Sequence, residues 1–422
     1  MLSNVMRKHD ERHPPFAGVR DISYTEEIQM QPFQSSRFLG LAVGLSLMCA
    51  PAAASAATHV VNPGESIQAA VDAASAGDTV KVMPGDYIEP ALSGPAVRIT
   101  KPLKLVAKSK IAKDIRVRIL PGPGQSDGIV IEPANPGDPD VVGVKVQGFT
   151  IEGFPNNGIW LKHVQKFNIV GNESINNLEN GLWPTLSANG NVKKNVAYGS
   201  QDSALWVEAS EDVRVIQNEL YDSPTGLEIT VSKGVKAVKN DIHDNTVGVG
   251  LYHPNGAGLT SPLNGDWVFK GNRIYDNNKP NTAPMGSLVA GLPPGLGVLL
   301  VGVDRVTLQK NEITGNDFVG VAVLDWCLAL DGTDYDCDTN PPIVQSAPDR
   351  NLVKGNSLGN NGNNPPPGLF GSLAGDLALV SFPNPPYAPI GGHNNCFTDN
   401  EPVPPQSSVT FHSIGNSAVE CY

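Results

Sequence analysis

From Val213 to Asn245 the chain nearly writes one line twice: VIQNELYDS is answered by AVKNDIHDN, with Asn218 and Asn240 in the same position. The position recurs at Asn172, Asn195, Asn218, Asn240, Asn272, Asn311 and Asn356, at intervals of 23, 23, 22, 32, 39 and 45 residues. Three places before each asparagine stands an apolar residue (Ile169, Val192, Val215, Ala237, Phe269, Leu308, Val353), and the second place after it is usually apolar too. Period-2 alternation over so few residues predicts short strands with one face inward. A second strand follows the early asparagines ten or eleven places on, at GLWP, ALWV, GLEI and GVGL. Strands of three to five residues repeating every 20–25 residues predict a β-solenoid. The widening intervals predict loops inserted in the later coils.

In a stack of parallel coils, one turn position recurs at the inter-strand spacing of roughly 4.8 Å. Asparagine tolerates the left-handed backbone expected at such a turn, and its amide can hydrogen-bond from rung to rung. Asn177, Asn245, Asn277, Asn316 and Asn361, five places further on, predict a second ladder. These asparagines read as architecture.

The stretch VNPGESIQAAVDAASAGDTVKVMPGDYIE (Val61–Glu89) reads as a strand, a helix capped at Glu65/Ser66 and running to about Ala74, a turn, and a strand at Thr79–Met83. With PLKLVAKS, DGIVIEP and VGVKVQGFTIEGF behind it, this opening resembles the N-terminal cap and first coils of secreted right-handed parallel β-helix proteins of the pectin-lyase-like superfamily. The resemblance extends to about Asn361. It implies an all-β right-handed parallel β-helix of 22–23-residue coils, plugged by the helix at one end. It leaves function open, because the fold hosts lyases, hydrolases, epimerases and non-catalytic binders. The chain lacks the paired aspartates typical of the superfamily's polysaccharide hydrolases and the Asp-Pro-His-Asp stretch of its alginate epimerases.

Ahead of the repeat, Arg37, the apolar run FLGLAVGLSLMCA and PAAASAA predict a secretory signal cleaved near Ala56 or Ala57. Residues 1–29 carry no periodic pattern and read as disordered or as a misplaced start, with 30–56 as the signal. The expected organisation is therefore a β-helix over 57–361, then an irregular Pro/Gly-rich C-terminal cap over 362–422. Export to a periplasmic, surface or secreted location makes disulfides permissible. Cys327, Cys337, Cys396 and Cys421 allow three pairings. The favoured ones are Cys327–Cys337 across an inserted loop and Cys396–Cys421 at the C-terminus, and no close C-x2-C pair suggests a metal site. A net charge of −12, with only 17% charged residues, argues against nucleic acid or an anionic membrane as the main partner.

A solenoid turns sequence offsets into surface columns. Twelve residues before each early asparagine stand Trp160, Trp183, Trp206 and Glu228. With the flanking aliphatics inward, this column faces out, and three tryptophans on consecutive rungs suit the apolar faces of sugar rings. Glu208 shares the face of Trp206, one rung from Glu228, so the two are candidates for acid/base glycosidic chemistry. A packing role for the same rings remains open. The column three after each asparagine, Tyr198, Tyr221, His243 and Tyr275, reads as an aromatic stack. His253, beside Tyr252 at the first insertion, is a candidate general base, with Arg273 or Lys162 positioned to stabilise an oxyanion or a uronate. Asp331, Asp334, Asp336 and Asp338 alternate like the oxygen ligands of a weak extracellular Ca2+ site, without an EF-hand's glycine and glutamate.

The leading reading is a secreted monomer that binds, and in an unresolved lyase, hydrolase or epimerase class processes, a polysaccharide along the Trp/Glu strip. Two others stay open: a structural or adhesive β-helix whose loops at 252–266, 279–303 and 325–350 contact a protein partner, and an accessory factor for metalloenzyme assembly. The poverty of Cys, Met and His clusters argues against the last.

Overall fold

A computed structural model describes residues 56–109, 115–253, 265–329, 337–338, 345–383, 391–415 and 421. The expected signal segment lies outside them, as do Asp331, Asp334 and Asp336. Three parallel sheets form the body, one of 12 strands and two of 11, and each coil contributes one strand to each. Asn191–Lys193, Val196–Tyr198 and Ser203–Glu208, for example, fall in the first, second and third sheets. Successive coils stay in register with the repeat: Val192 pairs with Val215, Ala197 with Leu220 and Leu205 with Leu227. These apolar positions are fully buried and stack into one continuous core.

The asparagine ladder is realised along the first corner. Asn195 Nδ2 donates to Asn218 Oδ1 (3.0 Å), Asn218 to Asn240 (3.0 Å), and so on through Asn356 to Asn400 (2.9 Å). Each side chain also accepts from the backbone N–H of the rung before, as Asn218 does from Asn195 N (3.0 Å). The second ladder is continuous from Asn245 through Asn277 and Asn316 to Asn361; Ser200 and Ser223 interrupt it nearer the N-terminus. One detail departs from the sequence reading. The left-handed residue is the one before the asparagine: Lys194 (φ 56°), Gln217 (φ 55°), Lys239 (φ 56°) and Lys310 (φ 55°). The turn reverses there, and the amide that follows is thereby aimed along the stack.

At the N-terminal end, the helix Ile67–Ala73 begins at the N-cap Ser66 and buries Ile67 and Val71 against the first coil. The buried Glu89 carboxylate accepts from Ile67 N (2.7 Å) and Ser66 Oγ (2.6 Å), holding the cap in place. At the other end the expectation of an irregular segment is corrected. Gly375–Ser381, Cys396–Thr398, Glu401–Pro402 and Phe411–Gly415 add further strands to the three sheets. Proline-rich inserts hide the period, yet Asn400 keeps the ladder seat above Asn356, and five places earlier Asn395 stacks likewise on Asn351. Disulfides join Cys327 to Cys337 and Cys396 to Cys421.

The inserted loops are also partly reassigned. Leu296–Val301, expected within a loop, is a strand of the third sheet. Ahead of it, Ala283, Leu288, Val289 and Leu292 fold onto that sheet's outer face and, with Trp326 and the Cys327–Cys337 bridge, cover Leu299, Val301, Ala322 and Val380. This second apolar cluster keeps much of those loops occupied with their own sheet. Among the described residues, no helix is long and apolar enough to cross a membrane.

Candidate functional site

On the N-terminal half of the third sheet, the outer face is open. Trp160 pairs in register with Trp183, and the next rung brings Trp206. The rings stack with centroids 5.0 and 5.1 Å apart and planes within 8° and 3° of parallel. All three are half-buried. Trp206 Nε1 donates to Thr230 Oγ1 on the next rung (2.9 Å). The same offset aims the Trp183 N–H toward Glu208, where it helps hold that carboxyl down without completing a hydrogen bond.

The column then changes character. Trp206 pairs with Glu228, and Glu228 with Gly250. Contrary to the outward strip expected from the sequence, Glu228 is only 4% exposed. The reason lies one rung on. Tyr252, two residues past Gly250, leans back along its strand, so that a Cβ added at Gly250 would lie 2.4 Å from the tyrosine hydroxyl. A glycine is required there for the ring to lie against the carboxyl's rung.

Four carboxyls gather around this junction. Ser203 Oγ donates to Glu228 Oε2 (2.7 Å), but burial and the neighbouring Asp202 charge push Glu228 well above the usual carboxylate range. Asp202 is half-buried at the corner just before its strand, and burial together with Glu179 and Glu208 raises it to about 7. Glu208 accepts from Thr185 Oγ1 (3.0 Å), which only partly offsets the upward push of burial. Glu179 is raised by burial of its carboxyl and by Asp127, although the residue as a whole is exposed. The Tyr252 hydroxyl, fully buried, has no hydrogen-bond partner, and burial with the charges of Glu228 and Asp202 raises it well above its ordinary range. Buried groups left in this state are costly in a resting protein and cluster where chemistry is done.

The remaining sequence candidates fall differently. Lys162 stands on the third sheet in the column of Thr185 and Glu208, two rungs before Glu208. Arg273 does not join them: it lies on the second sheet, with its guanidinium carbon 4.6 Å from the Tyr275 ring centroid and its Nη1 3.1 Å from Asp241 Oδ2. Sequence offsets alone did not separate the two faces. His253 is 3% exposed with no partner at Nδ1, and burial lowers it to about 4, so it is a neutral imidazole at neutral pH. It makes no hydrogen bond to the four carboxyls. His243 sits in its expected stack between Tyr221 and Tyr275 (5.2 and 5.0 Å). Asp338 is exposed, and no group of three His, Cys, Asp or Glu suited to a metal occurs among the described residues. Asp202 and Glu179 escaped sequence analysis because they stand in corners, outside the strand columns counted from the asparagines.

Comparison with known proteins supports the architecture. Residues 143–333 match the family described as the right-handed beta helix region. The A-module of the mannuronan C-5 epimerase AlgE4 of Azotobacter vinelandii superposes with a TM-score of 0.57 at 15% identity, over 84% of this chain and 92% of that one. The AlgE6 A-module gives 0.58 at 16%, over 84% and 91%. DFA-IIIase from Arthrobacter chlorophenolicus A6 in complex with GF2 gives 0.54 at 15%, over 82% and 83%. No curated protein matches by sequence. The fold is thus a right-handed parallel β-helix, and likeness at this identity carries fold without chemistry.

Proposed function

We propose that this is an exported protein that binds a neutral polysaccharide along Trp160, Trp183 and Trp206 and cleaves or transfers a glycosidic bond where the strip meets Asp202 and Glu208. The carrying observation is the juxtaposition itself: three parallel, stacked indoles on consecutive rungs run into a cluster of carboxyls that no described cation pairs. The rings are stacked face to face, so their outer edges form a narrow apolar row along which the C–H faces of sugars can lie. Asp202, half-buried and raised to about 7 by burial and the neighbouring carboxylates, is matched to giving and taking a proton at neutral pH. Glu228 is a positioning residue buried behind it, whose charge would have to appear beside that of Asp202; one proton is therefore retained between them. Glu208, on the far side of Trp206, is the carboxylate that supports positive charge at the sugar or activates water.

The electrostatics select the substrate. Strands of the third sheet from Leu182–Thr185 to Leu296–Val301 contain no Arg or Lys, and Lys162, on the Trp160 strand, stands two rungs from Glu208. A uronate chain would meet like charge at Asp202 and Glu208 with no cation on those strands to receive it. Relatives in fold named for mannuronan epimerisation or seen in complex with GF2 and DFA-III support a carbohydrate role for this scaffold. The two disulfides support an oxidising location.

The test pairs binding and turnover. The chain from residue 57 is titrated with dextran, xylan and inulin, following tryptophan fluorescence and reducing ends. Quenching by one of them, with turnover lost in Asp202→Asn while quenching persists, is the expected result. Silence toward all three, or undiminished turnover in Asp202→Asn, would sink the reading.

A further inference from the structure

The first sheet faces away from this chemistry in both position and charge. None of its 12 strands contains Asp or Glu. Its outward positions instead carry Lys104, Lys145, Arg214 and Lys236 in one column and Lys193 and Lys270 in the other. The register places these on seven consecutive rungs, of which only Asn168–Val170 lacks a cation. At inter-strand spacing the row spans roughly 29 Å. In sequence successive members of the row lie 21 to 48 residues apart, so no basic run advertises them.

These cations are not neutralised from within. No ion pair or hydrogen bond engages the side chains of the six, and Lys104, Arg214, Lys236 and Lys270 are exposed. Toward the N-terminal end of the row, Lys108 depresses the Lys81 ammonium, as a neighbouring like charge does. At the row's corner, Asp212 shares a shallow depression with Asn191, Arg214 and Lys236. The second sheet shows the ordinary alternative: there Arg118 is met by Asp86 (2.6 Å) and Arg273 by Asp241 (3.1 Å). A protein of net charge −12 whose first sheet carries cations and no carboxylate on its strands presents a field readable only at that face, since screening at physiological salt acts over about 8 Å.

We infer that the outer face of the first sheet is a docking surface for a linear polyanionic polysaccharide, carboxylated or sulfated. Single-file cations one rung apart match an extended chain of repeating charge. They do not converge on a small anion, and no cation is buried to hold one. The outward positions of these rungs carry no Trp, Tyr or Phe to anchor in a membrane interface. Docking here would hold the protein to a charged matrix while the tryptophan strip stays free on another face. The inference does not depend on the chemistry proposed for that strip.

The test is retention of the chain from residue 57 on immobilised dextran sulfate and polygalacturonate, with neutral dextran, phosphatidylglycerol vesicles and duplex DNA alongside. Binding to at least one of the two polyanions is expected at low salt, weakening steeply as salt rises. Arg214→Gln/Lys236→Gln should weaken it tenfold or more, and each lost cation should shallow the slope of log affinity against log salt by roughly 0.7–0.9. Lys354→Gln, whose ammonium already has Asp399 at 3.5 Å, is the control and should change little. A single Lys270→Gln with unchanged melting temperature separates charge from folding. The inference is overturned by no retention on either polyanion, by retention indifferent to these variants, or by stronger binding to vesicles or DNA.

Discussion

Two aromatic stacks run up this solenoid on different sheets, and they are built alike. Trp160, Trp183 and Trp206 on the third sheet and Tyr198, Tyr221, His243 and Tyr275 on the second all pack at 4.6–5.2 Å between centroids and are half-buried. Their surroundings differ. Around the tyrosine stack, charges are paired: His243 Nδ1 with Asp244 (2.8 Å), Arg273 with Asp241 (3.1 Å) and Glu312 (3.8 Å). Among the described residues, the tryptophan stack ends in carboxyls with no cation paired to them and a buried hydroxyl with no partner. Stacking is therefore what the repeat produces wherever aromatic residues share a column. Unneutralised charge beside the stack is the part that stacking does not explain.

The sharpest way to break this contrast is to remove one carboxyl from each face. Asp202→Asn is expected to lower turnover by about 10²–10⁴-fold, the usual scale for a lost acid/base group. Asp241→Asn beside the tyrosine stack should leave turnover unchanged. Next in size is a change that ignores the difference. Asn218→Ala removes two donated and two accepted hydrogen bonds from a buried rung that both faces share. A loss of about 2–4 kcal/mol is expected in denaturant unfolding, and a loss under 1 kcal/mol would show the ladder to be ornamental. Smaller again, Trp183→Ala should weaken glycan binding about tenfold, or ~1.4 kcal/mol. Tyr221→Ala, removing an equivalent ring, should alter stability and leave glycan affinity as it was.

Much of this comparison was legible in the sequence. Both columns follow from counting offsets from one asparagine, because a parallel coil converts period into position. The helix cap at Ser66 was legible for a similar local reason. What escaped depends on contacts that counting cannot reach. Glu228 shares the offset of the tryptophans, yet is buried because Tyr252, on the next rung, leans over Gly250. Asp202 stands in a corner whose path toward Glu228 is set by how the turn closes. Arg273 and Lys162 looked interchangeable until the coil divided them between two sheets. The last strands were hidden because inserts stretched the period while Asn395 and Asn400 kept it in space.

Acidity sharpens the contrast by a different measurement. Asp202 rises from 3.8 to about 7 on folding, and Glu228 is raised as well. The folded state therefore holds more protons than the unfolded state between pH about 4 and 7. Stability contributed by these groups is present at low pH and declines as pH rises through that window. Thermal unfolding at pH 5 and pH 8 is expected to show the lower melting temperature at pH 8. Glu228→Gln should narrow the gap by removing the charge that must otherwise appear in a buried site. An unchanged gap would mean that the cluster is better solvated than its burial indicates.

The smallest expected effect comes from Tyr252→Phe. In the resting protein the Tyr252 hydroxyl is buried without a partner, and an unsatisfied buried hydroxyl costs about 1–3 kcal/mol relative to a satisfied one. Deleting it leaves the ring over Gly250 and removes that penalty, so Tyr252→Phe should melt at the same temperature or slightly higher. A hydroxyl retained at such a cost is accounted for if it is satisfied when a sugar occupies the site, so the same variant should bind glycan a few-fold more weakly. Stability and affinity then move in opposite directions at one atom, which packing alone would not produce. Were both unchanged, the hydroxyl would have no role in binding, and the case for this junction would rest on its carboxyls.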